Sequence, residues 1–299
     1  MIVGKRRLPV RRHTVQALRN TRVIERLRMD DDTRSISADH LYARLGLASA
    51  PTIIDVQRDA PDPQSSRMLV SAFYCAPEEV KGWSHVTFNR PVVVYCREGH
   101  DLSQTVARAL CAAGVETFYL QGGIAGWIEK GFPTRRARTT SVGRWVTRKR
   151  PSVDRIACPW LIRRFIDPRS EFVYVPEAQV LEVATNTGAT PYDLKGIEFG
   201  DHGDRCSFDA IVNAYDINDP ALDHLATIVR GADTSRPDLA PQCLGLLAVS
   251  RGLSSRFSDD HEQLKQGMVI YDAFYQWCRL QQETIARTTA PIHYNGAVH

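Results

Sequence analysis

A chain of 299 residues is long enough for two domains, each burying its own core. With 43% hydrophobic and 24% charged residues and no apolar run of membrane-spanning length, the composition is that of a soluble cytoplasmic protein without a membrane partner. The net charge is only +4, and its basic excess sits between Lys5 and Arg34, so the protein as a whole is not polybasic.

The seven cysteines are odd in number and form no Cys-x-x-Cys pair, which argues against a disulfide framework or a zinc ribbon and for a reducing compartment. Residues 1–34 form a basic N-terminal extension. They lack the apolar stretch of a secretory signal, and Glu25 with Asp30, Asp31 and Asp32 speaks against an organelle transit segment. Its arginines make a solvated arm, with DNA as the alternative partner.

From Ser35 short elements alternate. Ser37 is placed to cap a helix through Leu41 and Leu45 that Gly46 ends, and Pro51 to Val56 reads as a buried strand. Val92 to Cys96 is a second strand, Ser103 to Ala113 a helix, and Thr117 to Leu120 a third strand. A short helix holding Trp127 follows Gly122-Gly123. Strands alternating with helices imply a doubly wound parallel α/β sheet.

The sharpest chemical signal is the β-branched run Val92-Val93-Val94, which ends on Tyr95-Cys96 and turns through Arg97, Glu98, Gly99, His100, Asp101 and Leu102 into the helix. A thiol between a strand end and a helix start faces loop amides and the positive end of the helix dipole, which stabilise the reactive thiolate. Such a loop also suits an oxyanion. Phosphatase and arsenate-reductase loops place an arginine six positions after the cysteine, and here that position is Leu102, so sulfur chemistry is favoured over phosphoryl transfer.

Asp55-Val56-Gln57-Arg58, Val93 to Arg97 with Gly99, and Leu120-Gln121-Gly122-Gly123 with Gly126-Trp127, Gly131 and Pro133 agree in order and spacing with the rhodanese domain, which residues 35–136 resemble. The resemblance implies sulfane-sulfur transfer through a persulfide on Cys96, with no cofactor required. A small-molecule sulfur donor, thiosulfate or another sulfane compound, and a thiol acceptor would be the partners. Glu98 and Asp101 repel a thiosulfate dianion, which disfavours that donor. Asp55 and Arg58 are expected as a charge pair supporting the loop, and Cys75 and Cys111 as inert thiols.

Residues 137–142 read as a linker. Beyond it, Arg144 to Arg148 is expected as an edge strand, Ser152 to Asp167 as a helix interrupted or restarted at Pro159, and Glu171 to Val175 as a strand. Ala178–Ala184 is expected to be helical and Ile197 to Phe199 a short strand. Helices over Phe208–Tyr215, Ala221–Val229 and Leu239–Arg251 precede a long one from Ser258, whose Leu264, Met268, Tyr271, Tyr275 and Cys278 form a core stripe. The second domain, 143–285, is thus a mainly helical α+β unit, followed by a tail over 286–299.

Asp154-Arg155 with Cys158-Pro159-Trp160 and Arg163, Glu198-Phe199 with His202-Gly203 and Arg205 to Phe208, Arg230 to Asp233, and Asp259 to His261 resemble the C-terminal domain of the chromate-resistance protein family. That resemblance implies a role in chromate resistance or its regulation. The residues themselves nominate Glu198, His202, Asp233 and His261 as ligands for a divalent metal, and Arg155, Arg163 and Arg205 as a candidate site for chromate or a similar oxyanion. Together these readings describe a cytoplasmic sulfurtransferase coupled to an oxyanion-handling or metal-handling domain. The alternative is a chromate-responsive transcriptional regulator with a non-catalytic rhodanese module.

Overall fold

The structure, a computed structural model, describes residues 34–79, 89–138 and 143–289. The basic extension before Arg34, most of the expected linker (139–142) and the end of the tail from 290 lie outside the described residues.

In the first half the chain forms β1 (Ser35–Ile36), α1 (Ala38–Tyr42), β2 (Thr52–Asp55), β3 (Arg67–Leu69), β4 (Phe73–Tyr74), β5 (Val92–Tyr95), α2 (Asp101–Ala112), β6 (Thr117–Leu120), α3 (Gly123–Glu129) and β7 (Thr134–Arg136). Five strands make a sheet in the order β1-β6-β5-β2-β4, with every pair parallel. Apolar residues serve both faces because side chains alternate along a strand. Ile53, Val93 and Tyr95 join Leu41, Leu120 and Trp127 on one face, while Ile54, Val92 and Val94 pack against Val106, Ala107 and Leu110 of α2 on the other. This is the doubly wound α/β fold expected. Ser37 caps α1 by accepting the His40 N–H at 3.3 Å, worth about 1 kcal/mol.

The second half contains β8 (Arg144–Arg148), α4 (Val153–Leu161), a π-helical turn (Ile162–Ile166), β9 (Glu171–Val175), α5 (Val180–Thr187) and β10 (Thr190–Pro191). Then follow α6 (Ser207–Ala214), α7 (Pro220–Asp233), α8 (Cys243–Arg256) and α9 (Asp260–Thr289). It is helix-rich with one small sheet, ordered β10-β8-β9. β8 is therefore central, not an edge strand: its middle residues Trp145, Val146 and Thr147 are all buried, a demand that polar Arg144 and Arg148 at its ends disguise. Ile197 to Phe199 forms turns instead of a strand. The helix continues through Pro159, whose missing N–H removes one hydrogen bond, and passes three residues later into the π-helical turn. The predicted stripe of α9 is buried throughout. The helix itself runs on to Thr289, past the expected start of the tail.

The two halves share one core, which extends from Ile36 through Trp127 and Trp160 to Cys278. β7 pairs antiparallel with β3, and Arg136 donates its N–H to the Tyr215 carbonyl at 2.7 Å. Ser71 donates to the Phe165 carbonyl at 2.7 Å. Ala137, expected in the linker, is buried and bonded to the Ser66 carbonyl, and Arg138 reaches Glu198 at 2.8 Å. These two residues are part of the junction between the halves, not a tether.

Candidate active-site loop and acidic cluster

Cys96 follows the last residue of β5, the central strand of the sheet, and α2 begins five residues later, so Arg97 to His100 must reverse direction within one turn. The start of α3 shapes that turn. Ile124 donates its N–H to the Cys96 carbonyl at 3.0 Å, and Ala125 donates to the Arg97 carbonyl at 2.9 Å. No described peptide is cis. In a trans peptide the N–H opposes the carbonyl, so the outward Arg97 carbonyl turns the Glu98 amide inward, toward the thiol. The approach requires glycines: a Cβ on Gly123 would stand 2.6 Å from the Arg97 oxygen, and one on Gly99, at φ +72°, would stand 2.8 Å from the Gly122 and Gly123 nitrogens.

The Cys96 Sγ lies 3.3 Å from Ser103 Oγ, whose hydroxyl is also 3.1 Å from the His100 carbonyl. Burial raises the pKa of Cys96, but the Ser103 hydroxyl and the amides of Ser103, Glu98 and Gly99 outweigh it, so the thiol is held below its ordinary value. The other buried cysteines behave oppositely. Burial pushes Cys75 and Cys278 up to about 12, and raises Cys158, Cys206 and Cys243 as well. Cys111 is exposed within α2, with its thiol against the Thr117 carbonyl at 3.4 Å. Among the buried cysteines, Cys96 alone is held below its ordinary value.

Around it Arg97, Glu98, His100 and Asp101 are exposed, with Glu98 and His100 paired at 3.5 Å, and Leu102 is half-buried at the start of α2. Asp55 is fully buried at the end of β2, level with Tyr95. It accepts the Tyr95 hydroxyl at 3.1 Å and both the backbone and side-chain N–H of Gln57 at 3.0 Å. The expected Asp55–Arg58 charge pair is absent. Arg58 is exposed, and its carbonyl accepts the Tyr74 hydroxyl at 3.3 Å. Asp55 still supports the loop, by anchoring the strand that carries Cys96, through hydrogen bonds instead of charge.

The four residues nominated for a metal do not assemble. Glu198 is exposed and paired with Arg138, and the His202 ring rests on the Glu198 carbonyl at 3.1 Å. His261 meets the Tyr174 ring edge-on, 5.4 Å between centroids. Only Asp233 enters a cluster, with Asp154 and Asp201, whose carboxylate oxygens all lie within 4.8 Å of one another. Burial, then Asp233 and Asp193, raise the pKa of Asp154 far above the usual range. Burial followed by Asp193 and Asp201 pushes Asp233 up to about 6. Sequence order hides the cluster because its members come from α4, the loop before α6 and the end of α7. Asp154 stands in the chromate-resistance motif, but nothing in its spacing points to Asp201.

The three arginines nominated for an oxyanion are engaged separately. Arg155 pairs with Asp193 at 2.8 Å, and Arg163 donates to the Ser170 carbonyl and lies 4.9 Å over the Phe172 ring. Arg205 is exposed, its backbone bridged to His202. A cavity of about 410 Å³ lies between the halves, lined among others by Phe73, Arg135, Arg138, Trp145, Arg169 and Tyr215. Cys96 does not line it.

A parallel sheet whose central strand delivers a cysteine into an amide-lined turn defines a rhodanese-like domain, and residues 37–130 match the sequence model of that domain. Residues 145–278 match the model of the ChrB C-terminal domain, so matches to two domain models follow one another along the chain. It is similar to Protein ChrB of Cupriavidus metallidurans, 32% identical over 155 residues, which cover 51% of this chain and 45% of that protein; the match spans less than half of the relative's length. Among solved structures it is similar to a rhodanese-related protein from Thermoplasma volcanium, at 22% identity over 33% of this chain and 95% of that one with a TM-score of 0.28. A rhodanese homolog from Thermus thermophilus is 28% identical over 30% of this chain and 96% of that chain, TM-score 0.24. Among the described residues no helix is long and apolar enough to cross a membrane.

Proposed function

We propose that the protein is a cytoplasmic rhodanese-type sulfurtransferase acting in chromate resistance. What supports this reading is the turn at the end of β5, where the Ser103 hydroxyl, 3.3 Å away, and the amides of Ser103, Glu98 and Gly99 face the Cys96 sulfur and favour its thiolate, while burial raises the other buried thiols. The Cys96 thiolate attacks the sulfane sulfur of a donor, forming an S–S bond as the donor's own bond to that sulfur breaks and its leaving group departs with the electron pair. The terminal sulfur of the resulting persulfide carries the negative charge, which the same amides stabilise. An acceptor thiolate then attacks that outer sulfur and releases the Cys96 thiolate. No redox cofactor is needed, because the electrons balance within the two exchanges. Exposed Glu98 and Asp101 favour a donor less anionic than thiosulfate.

Cyanolysis of the purified protein and of Cys96→Ala tests the reading. Thiocyanate formed by the protein and lost in the variant is the expected result, with a persulfide mass on Cys96. Equal, negligible thiocyanate from both proteins, with no persulfide adduct after treatment with a sulfane donor, would remove the catalytic role.

A further inference from the structure

Asp154, Asp201 and Asp233 converge at the N-terminal turn of α4, the loop leading into α6 and the last residue of α7. Each carboxylate is oriented by a donor on one of its oxygens. Phe208 N–H donates to Asp154 Oδ2 at 3.2 Å, the Ser207 hydroxyl to Asp201 Oδ1 at 3.0 Å, and Asp154 N–H to Asp233 Oδ1 at 3.4 Å. Each residue also offers one carboxylate oxygen to the shared cluster. Asp154 Oδ1 is decisive: the residue is 1% exposed, and this oxygen has no hydrogen-bond partner among the described residues. A buried, unpartnered acceptor beside two further carboxylates is unfavourable unless a cation or a proton meets it. Arg155, next along the chain, spends its two terminal nitrogens on Asp193 and the Arg150 carbonyl, and its buried Nε makes no hydrogen bond to the cluster.

We infer that these three aspartates form a binding site for a divalent cation of the hard, oxygen-preferring class. Opposite oxygens around Mg²⁺ or Mn²⁺ at about 2.1 Å stand about 4.2 Å apart, and around Ca²⁺ at about 2.4 Å about 4.8 Å apart. The three oxygens, all within 4.8 Å of one another, stand no further apart than opposite ligands around Ca²⁺. Three oxygens leave coordination positions for water, and exposed Asp201 gives the ion a route from solvent. The donor set contains no thiol or imidazole, which sets this site apart from a zinc centre. A cation here would tie the start of α4, the start of α6 and the end of α7 together, and so brace the core of the ChrB C-terminal domain. The inference stands independently of sulfur transfer at Cys96.

Mn²⁺ serves as the probe. The metal-stripped full chain is titrated with Mn²⁺ while electron paramagnetic resonance reports the free ion, and Ca²⁺ and Mg²⁺ are added as competitors. One saturable Mn²⁺ per chain is expected, together with a higher melting temperature for the loaded protein. Asp201→Asn, at an exposed position, retains the fold by circular dichroism and weakens binding roughly tenfold or more. Asp233→Asn does the same from a second element. Absence of saturable Mn²⁺ binding by the wild-type chain would overturn the site, and so would binding of undiminished affinity in both folded variants.

Discussion

Ile124 donates its backbone N–H to the carbonyl of Cys96 across 3.0 Å, so the first turn of α3 holds the outer side of the turn whose inner side faces the thiol. The contact depends on Gly123, where a methyl group would press on the Arg97 carbonyl and the Gly99 nitrogen. Gly123→Ala is expected to displace the turn and lower kcat/KM for sulfur transfer by about 100-fold, the scale of an ångström's misplacement at a reacting atom. A cyanolysis assay on the folded variant measures this. Wild-type activity would mean that the turn keeps its shape without the α3 contact.

Ser103 places its hydroxyl 3.3 Å from the Cys96 sulfur and its amide toward it. The lowered thiol pKa makes reaction with iodoacetamide set in at a lower pH than for an ordinary thiol. Ser103→Ala keeps the amide and removes the hydroxyl. Its alkylation profile should move to higher pH, with the rate at neutral pH falling roughly tenfold. Mass spectrometry assigns the alkylated site, and an unmoved profile would assign the effect to the amides alone.

Asp219 caps α7 by accepting the N–H groups of Ala221 and Leu222 on one oxygen, and accepts the Tyr275 hydroxyl at 2.6 Å on the other. Asp219→Ala removes the cap and leaves a buried hydroxyl unpaired, a loss of about 2–4 kcal/mol in urea unfolding. A loss below half a kcal/mol, roughly the noise of such a measurement, would show that water replaces both interactions.

The same group sets a pH trend. Burial raises the pKa of Asp219 above its ordinary value, and its hydrogen bonds with Tyr275, Leu222 and Ala221 only partly oppose this. The folded state therefore binds this proton more readily than the unfolded chain does. Its contribution to stability is fully present below the ordinary carboxylate range and is lost as pH rises through the raised folded value. Asp219→Asn retains an acceptor for the cap but cannot ionise. Melting curves from mildly acidic to neutral pH should show the wild type losing more stability than this variant. Parallel curves would contradict the assignment.

Arg67 ties the halves together through Asp216 at 2.6 Å, Thr134 Oγ1 and the Asp216 carbonyl. Because the core beneath is continuous, calorimetry should record one cooperative transition for the whole chain, and Arg67→Ala should lower its midpoint by about 1–3 kcal/mol of stability. Two well-separated transitions would show that the halves fold independently.

Local signals in the chain were enough for the parts of this protein that lie close together in sequence. The run from Val92 to Val94, the turn from Cys96 to Leu102 and the glycines at 122 and 123 determined the rhodanese-like α/β domain and the place of Cys96 in its turn, because strand, turn and helix start are successive and their propensities local. The stripe from Leu264 to Cys278 likewise announced α9. Tertiary structure alone decided which groups meet across the chain. It placed β8 at the centre of its sheet, gave Asp55 to Tyr95 and Gln57 instead of Arg58, and committed Glu198, His202 and His261 to separate partners. It gathered Asp154, Asp201 and Asp233 in their stead. Convergence of charges from separate helices depends on how apolar faces pack and on which polar atoms that packing leaves buried, and neither follows from the order of residues along the chain.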